Sequence, residues 1–463
     1  MKQIILEKPV NENYSAMIVK IKNLLPIENA DKLQHANIYG NLVIVSKDVK
    51  QDDLMIYFPV ETQLSENFLK SNNLYRDKIL NNDKEKAGFF ESNRRIRAVR
   101  LRGAVSQGFL VPITNFEYLC DELKYMKNNN SFIIRKGKEY YELNENDTFD
   151  KLFNETICKK HIIKVNNPVG QTRLDKRNKK IKRTEIVDNQ FRFHIDTAQI
   201  YKNLHRLKPE TILHISRKKH GTSLIVSNVL VKRKLSIIEK LLKLMKVNIK
   251  ETEYKNVYAS RTVLKNLDID RNTNSFYDTD IWGKANNYII DKMGKIPEGM
   301  TIYAEIVGYT DIDKFIQKYY DYGCNNGQFE VYVYRITFTN PEGYVYEFSA
   351  KQVQSFCKLY NIKPVEELYY GSVANLYNYL SDDKYKLEEN QNIPDDFLDL
   401  VSKEYLEKDC PYCKSKPNTP DEGIVIRVED SNMIESYKLK SFRFYQNETK
   451  QKDNNEADIE ENS

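Results

Sequence analysis

Residues 215–223 read ISRKKHGTS, two adjacent lysines followed by a histidine and a glycine. The residues before it alternate in polarity as a strand does, so Lys218 falls on the polar face and Lys219 points away from it. Gly221 permits a sharp turn and the close approach of a ligand. Because SLIVSNVLV follows as a second strand, the pattern predicts a hairpin with Lys218 at its lip.

Five later segments carry the residue types of phosphate chemistry, although each is weak evidence alone. In chain order they are YASRTVL, GMTIYAEIVGY, FEVYVYRITF, DEGIVIRVE and SYKLKSF. They supply cations for phosphates, carboxylates for a metal and an aromatic ring for a base, namely Arg261, Lys438 and Lys440, Glu305 and Glu422, and Tyr334. An amine attacks phosphorus only when deprotonated, so a nucleophilic lysine needs desolvation, a neighbouring cation or a metal.

In this order the segments resemble the motifs of the covalent nucleotidyltransferases, the family of polynucleotide ligases and capping enzymes. The resemblance runs from about residue 191 to residue 444. The KKHG sequence resembles the family's lysine motif, which implies that Lys218, three residues before Gly221, is the nucleophile. That assignment agrees with the alternation of the strand. ATP is the nucleotide that the resemblance to ligases implies.

The resemblance also implies roles for the charged residues. Lys438 and Lys440 are expected to bind the α-phosphate of ATP, and Arg261 a phosphate or the incoming RNA end. Glu305 and Glu422 are expected to hold Mg²⁺ or Mn²⁺ through water molecules, because magnesium gives up its waters reluctantly. For Glu305 the family offers an alternative, contact with the ribose hydroxyls.

Three further residues complete the expected nucleotide site. Tyr334 is expected to stack on the adenine, and Gly221 to let the backbone approach the nucleotide. His220 occupies a position where many relatives have aspartate. A neutral imidazole cannot hold metal-bound waters as a carboxylate does, so a hydrogen-bonding or packing role for His220 stands beside a catalytic one.

The N-terminal part of the chain predicts a small antiparallel barrel. Short β-rich runs with glycine at the bends fill residues 16–60 and 94–113. Basic residues alternate along the second run and form either a nucleic-acid contact or a solvated face: Arg95, Arg97, Arg100 and Arg102. The region resembles an OB-fold. An OB domain placed before the core implies the RNA ligases that join a 3′-OH to a 5′-phosphate at a nick.

The expected fold class is α+β, an N-terminal OB-type barrel followed by a nucleotidyltransferase core of antiparallel sheets with flanking helices. We expect an OB-type nucleic-acid-binding domain at 1–157, a basic linker at 158–190, an adenylyltransferase domain at 191–445 and a disordered polar tail at 446–463. The expected activity is ATP-dependent joining of RNA ends through lysyl-AMP and an AMP-capped 5′ end. The alternatives are a capping-type guanylyltransferase, a DNA ligase, or an RNA-binding scaffold with an inactive core.

Composition excludes some classes of protein, such as membrane-spanning and disulfide-rich proteins. The 463 residues are 40% hydrophobic, and no apolar run approaches the roughly 18 residues that span a bilayer. We therefore expect a cytoplasmic protein with no membrane partner. The resemblance implies RNA ends or nicked duplex RNA as the partner, and no obligate protein partner is evident from the sequence. Six cysteines in so long a chain do not make a disulfide framework.

A cysteine pair and an amphipathic segment each allow both a structural and a functional interpretation. Cys410 and Cys413 form a CPYC sequence, which we interpret as an incidental loop pair rather than a redox or zinc site. Residues 234–246, KLSIIEKLLKLMK, have apolar positions at helical spacing. We expect a helix packed on its own domain rather than one lying on a membrane surface.

Overall fold

The strands on either side of the lysine turn, Ile212–Lys218 and Thr222–Lys232, lie in two different, mainly antiparallel sheets of the C-terminal part of the chain. They do not pair with each other, so the predicted hairpin was wrong, and the turn instead connects the two sheets. The computed structural model describes residues 2–127, 130–163, 185–194, 196–265, 279–382, 386–388, 390–429 and 435–454. No helix within these ranges is long and apolar enough to cross a membrane.

The N-terminal part is built mainly of short strands. Its strands are β1 (Lys2–Gln3), β2 (Ala16–Lys20), β3 (Asn23–Pro26), β4 (Leu33–Ile38), β5 (Asn41–Ser46), β6 (Leu54–Phe58), β7 (Thr62–Leu64), β8 (Ala98–Leu101), β9 (Ala104–Gln107), β10 (Phe109–Pro112), β11 (Glu122–Met126), β12 (Ser131–Lys136), β13 (Glu139–Leu143), β14 (Thr148–Phe149), β15 (Lys151–Leu152), β16 (Glu155–Thr156) and β17 (Cys158–Lys160). Its α-helix is α1 (Glu66–Ser71). The strands form several small sheets, such as β10-β6-β2-β14 and β3-β4-β5, and the described strands do not join into one closed ladder.

The C-terminal part has longer strands and most of the helices. Its strands are β18 (Ala198–Gln199), β19 (Ile212–Lys218), β20 (Thr222–Lys232), β21 (Thr252–Ala259), β22 (Met300–Asp311), β23 (Lys314–Phe315), β24 (Phe329–Thr339), β25 (Val345–Glu347), β26 (Lys363–Pro364), β27 (Glu367–Ser372), β28 (Gly423–Val428) and β29 (Ser436–Lys440). Its helices are α2 (Ile237–Leu244), α3 (Ile281–Met293), α4 (Ala350–Tyr360), α5 (Val373–Leu380), α6 (Phe397–Tyr405) and α7 (Phe442–Asp453). One sheet has the order β18-β29-β28-β19-β27 and the other β21-β20-β22-β24-β25, which confirms the α+β class.

The predicted alternation is present in β19, and it has a packing reason. Leu213 and Ile215 are fully buried in an apolar core. That core also contains Met17 of β2, and the ring of Tyr57 in β6 meets the ring of Tyr201 edge-on with centroids 5.8 Å apart. The N-terminal and C-terminal parts therefore share one core, and separating them would expose it to water.

The C-terminal helix replaces part of the tail that the sequence predicts to be disordered. Helix α7 begins after Ser441, whose hydroxyl accepts from the backbone N–H of Phe444, and it continues to Asp453. Glu448 and Lys452 are buried although the segment has little apolar content. The prediction of disorder from residue 446 was wrong as far as residue 453, because buried ion pairs hold this helix. Residues 455–463 lie outside the described residues.

The predicted linker also begins later than expected. Strand β17 pairs with β7, so residues 158–160 belong to the N-terminal part. On the other side, Ile186 bridges to Val231 at the end of β20. Most of the basic block, residues 164–184, lies outside the described residues.

Helix α2 confirms the helical spacing of residues 234–246 but not the expected packing. Ser236 and Glu239 form a capping box at its start. None of its residues is buried, so the expectation of a helix packed on its own domain was wrong. The apolar side chains face solvent because α2 belongs to the connection between β20 and β21, which extends beyond the end of the sheet.

Candidate active site

Three neighbouring strands bring two of the predicted lysines side by side. Lys218 at the end of β19 is opposite Gly423 of β28, and Gly423 is in turn opposite Lys440 of β29. One step along the strands, Ser216, Val425 and Lys438 are aligned in the same way. Because side chains two residues apart share a face, Lys218, Lys438 and Lys440 project from one side of this sheet.

Glu422 sits between two of these lysines. Its Oε1 lies 2.9 Å from Lys218 Nζ and 3.1 Å from Lys440 Nζ, and its side chain is fully buried. The next residue, Gly423, has a φ of +142°, and a Cβ there would lie 2.2 Å from the carbonyl oxygen of Leu439. Only glycine lets β28 approach β29 this closely, and that approach places the carboxylate between the amines.

A second carboxylate fixes the charge of Lys440. Glu448 of α7 lies 3.1 Å from Lys440 Nζ. Burial alone would lower the pKa of Lys440, but Glu448 and Glu422 together raise that pKa well above its ordinary value. Lys440 therefore remains a cation, and Glu422 is already compensated when Lys218 loses its proton.

Gly221 holds the turn after Lys218 against the second sheet. A Cβ at this position would lie 2.1 Å from the carbonyl oxygen of Ile306 and 3.0 Å from Cγ of Glu305. The backbone N–H of Gly221 donates to Glu305 Oε1 at 3.1 Å, and Gln317 donates to the Gly221 carbonyl at 2.9 Å. The predicted close approach is thus made to the protein's own β22, and it fixes Glu305 beside the lysine turn.

The two residues between Lys218 and Gly221 are both buried. The Lys219 ammonium lies 4.2 Å from the ring centroid of Tyr412 and 4.7 Å from that of Tyr332. Burial lowers the pKa of Lys219 from its ordinary value. These rings hold the Lys219 ammonium by cation–π contacts.

The His220 ring packs between aromatic rings and beside a carboxylate. It meets Tyr320 and Phe444 edge-on, each at 4.8 Å between centroids, and its Nδ1 lies 3.9 Å from Glu422 Oε2. Burial lowers the pKa of His220. Of the interpretations left open by the sequence, this environment favours a packing role for the His220 ring behind Glu422.

A cavity of about 340 Å³ opens between the two sheets. Its lining combines Ser216, Lys218 and Val425 from the first sheet with Ser223, Glu305 and Tyr334 from the second. The Tyr334 hydroxyl lies 3.1 Å from Nδ1 of His194, which also lines the cavity. An aromatic ring, apolar surface and a few polar groups in a concavity of this size suit a nucleotide.

A smaller cavity of about 70 Å³ adjoins the first, and its lining contains five basic and three acidic side chains. Four predicted residues line it, namely Lys218, Arg261, Lys438 and Lys440. Arg261 is ion-paired with Asp196, which lines both cavities. Lys218 also lines both cavities and therefore lies where they meet.

Glu305 and Glu422 suit only a divalent cation that takes most of its ligands from water and phosphate. Among the residues that the structure describes, no group of three or more His, Cys, Asp or Glu could hold a metal by itself. Glu422 is moreover engaged with Lys218 and Lys440. These carboxylates fit an ion such as Mg²⁺ that keeps several waters and takes its other ligands from phosphates.

Two of the four arginines of the predicted basic face, Arg95 and Arg97, are engaged in ion pairs within the protein. Arg95 is buried and pairs with Glu61 at 2.9 Å and with Asp453 of α7. Arg97 lies 3.6 Å from the same aspartate. A nucleic-acid contact by Arg95 was therefore a wrong expectation, because tertiary packing uses its charge internally. Arg100 and Arg102 are exposed, and their contact with RNA stays a prediction.

The cysteine pair packs close to the site. Cys410 is buried in a cluster with Tyr320, Tyr322 and Phe444, and Cys413 packs against that cluster. Both thiols are free. Between them, Tyr412 reaches the Lys219 ammonium, so the CPYC loop has a packing role beside the lysine turn.

Sequence reasoning missed several residues of this site. His194 and Asp196 lie in an irregular segment, and Glu448 lies in the segment predicted to be disordered. Arg335 lines the larger cavity and makes two hydrogen bonds to Glu347, of 2.9 and 2.8 Å. Of these, only Arg335, directly after Tyr334 in a recognised segment, carried a signal in the sequence.

Two sheets that meet at a lysine-bearing turn, with a nucleotide-sized cavity between them and cations beside it, define the nucleotidyltransferase class. Comparison with known families specifies which kind of nucleotidyltransferase this is. Residues 15–113 match the model of an OB-fold domain, and residues 213–442 match the model of the RNA ligase family. The chain thus carries an RNA ligase domain, an enzyme domain, preceded by an OB-fold domain.

Solved structures agree with this fold. The structure of Naegleria gruberi RNA ligase with PPi is 15% identical, has a TM-score of 0.53, and is matched over 95% of this chain and 100% of its own. A mutant form of the same ligase with ATP and Mn is 15% identical with a TM-score of 0.51, over 95% and 99% of the two chains. At this identity the likeness establishes a common fold. A search of curated protein sequences found no significant match.

Proposed function

We propose that this RNA ligase uses ATP to seal 3′-OH and 5′-phosphate ends at nicks in RNA, through a covalent Lys218–AMP intermediate. The observation that carries the proposal is the position of Lys218 at the junction of the two cavities. There the amine can reach the α-phosphate of a nucleotide in the larger cavity while cations in the smaller one hold the phosphates. That the Naegleria ligase structures contain ATP, AMP or PPi supports the choice of nucleotide.

In the first step, Lys218 loses one proton and its Nζ attacks the α-phosphorus of ATP. The N–P bond forms while the bond to the β-phosphate oxygen breaks, pyrophosphate leaves, and a second proton is lost from the nitrogen. Lys440 stays protonated throughout, so it compensates Glu422 and stabilises charge that develops on the phosphate oxygens. Tyr334 and His194 border the space in which the base stacks.

In the second step, a 5′-phosphate oxygen of the RNA attacks the same phosphorus and the N–P bond breaks, so that lysine takes up its protons again. In the third step, the 3′-OH attacks the AMP-capped 5′-phosphate, loses its proton, and AMP leaves. Arg261 and Lys438 line the cavity where these phosphates pass. In reactions of this kind positioning and charge neutralisation dominate the rate. A divalent cation held through waters by Glu305 and Glu422 adds to that neutralisation when it is bound.

The test is incubation with α-labelled ATP and magnesium, followed by a denaturing gel. Lys218→Met is expected to abolish the labelled band, whereas Lys219→Met should retain most of it, because the unbranched methionine side chain, only slightly shorter than lysine, still packs among the tyrosine rings. The two variants change adjacent residues identically, so each is the other's control. A labelled Lys218 variant beside an unlabelled Lys219 variant would refute the assignment.

Two comparisons test the substrate. ATP should label the enzyme far better than GTP, and nicked RNA should be sealed in preference to nicked DNA. Comparable labelling by both nucleotides would favour a capping-type guanylyltransferase, and preferential sealing of DNA would favour a DNA ligase. Labelling without any sealing would remove the ligation steps from the proposal.

A further inference from the structure

Helix α2 carries an exposed apolar surface that the RNA ligase reaction does not use. Its apolar side chains recur at helical spacing and lie on one side. Five of them are mostly solvent-exposed, namely Ile237 (78%), Ile238 (70%), Leu241 (55%), Leu244 (80%) and Met245 (73%). Exposed large apolar residues gathered on one helix face mark an interaction site more often than a solvated surface.

Positive charge surrounds this apolar face. Residues 232–250 contain seven basic residues, namely Lys232, Arg233, Lys234, Lys240, Lys243, Lys246 and Lys250, and a single acidic one, Glu239. Glu239 pairs with Arg233, and Lys243 pairs with Glu251 at 2.6 Å. For Lys234, Lys240 and Lys246 no ion pair occurs within the described part of the chain. We call residues 232–250, which include α2, the basic apolar surface.

The basic apolar surface is remote from the reacting lysine. Strand β20 starts beside the lysine turn at Thr222 and ends at Lys232, where the basic apolar surface begins. At about 3.3 Å per residue, this strand spans roughly 33 Å. An occupant of the basic apolar surface can therefore be bound while the catalytic cavities remain open.

We propose that the basic apolar surface docks on membranes that contain anionic phospholipids. A short helix with leucine and isoleucine on one side and lysines around them lies in the headgroup region, with its apolar side chains in the acyl boundary and its lysines on the lipid phosphates. RNA would satisfy the lysines but leave the apolar side chains uncovered. A second copy of the same surface would cover the apolar side chains but bring the lysines into repulsion.

The experiment is flotation of the full-length protein with vesicles of 70% phosphatidylcholine and 30% phosphatidylserine, compared with pure phosphatidylcholine vesicles. The wild type should bind the anionic vesicles at least about tenfold more strongly, and added salt should weaken that binding. Leu244→Glu should lower the binding about tenfold or more, because it places a charge on the apolar face. Leu359→Glu is the matched control, because Leu359 is a leucine of helix α4 with a similar exposure of 75%.

Each other outcome overturns the proposal. Equal binding to both kinds of vesicle, or binding to neither, would show that anionic membranes are not the partner of this surface. Equal losses in the Leu244 and Leu359 variants remove the basic apolar surface as the contact. If Lys240→Gln and Lys246→Gln weaken binding to a blunt RNA duplex while the protein fails to bind vesicles, the surface is an RNA contact. If the wild type self-associates in sedimentation and Leu244→Glu abolishes this without changing vesicle binding, its occupant is a second copy. Circular dichroism of every variant checks that the fold is intact.

Discussion

Replacing Glu61 by glutamine should destabilise the protein strongly, because Glu61 neutralises two buried cations from distant parts of the chain. Its Oε1 lies 2.9 Å from Arg95 Nη1 and its Oε2 lies 2.8 Å from Lys452 Nζ. The three side chains are exposed by only 4%, 1% and 5% for Glu61, Arg95 and Lys452. Glutamine keeps the size and shape of the side chain, so the substitution changes the charge and little else.

The magnitude follows from burial of the charges that remain. At an effective dielectric constant of about 20, each contact supplies on the order of 6 kcal/mol of attraction, most of which offsets desolvation. Breaking a buried pair leaves its partner uncompensated and costs about 3–5 kcal/mol. Because Asp453 still pairs with Arg95, we expect the lower end, about 3 kcal/mol.

Urea-induced unfolding measures this free energy, followed both by circular dichroism and by the fluorescence of the buried Trp282. Glu91→Gln is the matched control, since Glu91 pairs with Arg76 at 2.6 Å between side chains that are 41% and 63% exposed. Such a surface pair contributes about 0–1 kcal/mol. If Glu61→Gln shifts the unfolding free energy no more than Glu91→Gln does, the buried network does not hold α7 to the N-terminal part.

Three further predictions concern groups around the site. Burial lowers the pKa of Lys202 to about 7, so above that pH the unfolded chain binds more protons than the folded one. The free energy of unfolding should therefore rise by about 2 kcal/mol from pH 7 to 9. Denaturation curves of Lys202→Met, measured beside those of the wild type, should lack this rise. Gly221→Ala forces a Cβ against the Ile306 carbonyl and should cost about 1–3 kcal/mol together with most adenylate labelling; an unchanged protein would mean that the turn adjusts freely. Glu448→Gln removes one of the two carboxylates that raise the pKa of Lys440, so the alkaline limb of the labelling rate should move to lower pH; an unmoved limb would exclude a positioning role for Glu448.

The apolar core shared by the N-terminal and C-terminal parts determines how a truncated protein should behave. A core that begins near residue 190 would retain the residues that line the catalytic cavities except those from the N-terminal part, Glu12, Tyr14, Val60 and Glu61. It would also expose the apolar core that Leu213 shares with Met17, and leave Lys452 without Glu61. We therefore expect such a fragment to aggregate rather than label, and point substitutions are the sounder way to separate the two parts.

Features that depend on local chemistry could be predicted from the residues alone. Alternation along 212–218 assigned Lys218 to the polar face, and the spacing of Lys438 and Lys440 placed both on one face of a strand. Gly221 was recognised as a close-approach glycine. These inferences needed only the two-residue period of a strand and the freedom of glycine, which neighbouring residues do not alter.

The ion-pair partner of each buried charge could not be predicted, because it depends on contacts between residues far apart in the chain. Arg95 looked like one of several arginines for RNA, and only the return of α7 from the far end of the chain turned it into a buried ion-pair partner. Glu422 and Lys218 are likewise brought together by β28 pairing with β19. Helix α2 shows the opposite case, since its periodicity predicts burial that the fold does not provide. Electrostatic and apolar partners are chosen by residues far away in sequence, and local pattern carries no information about them.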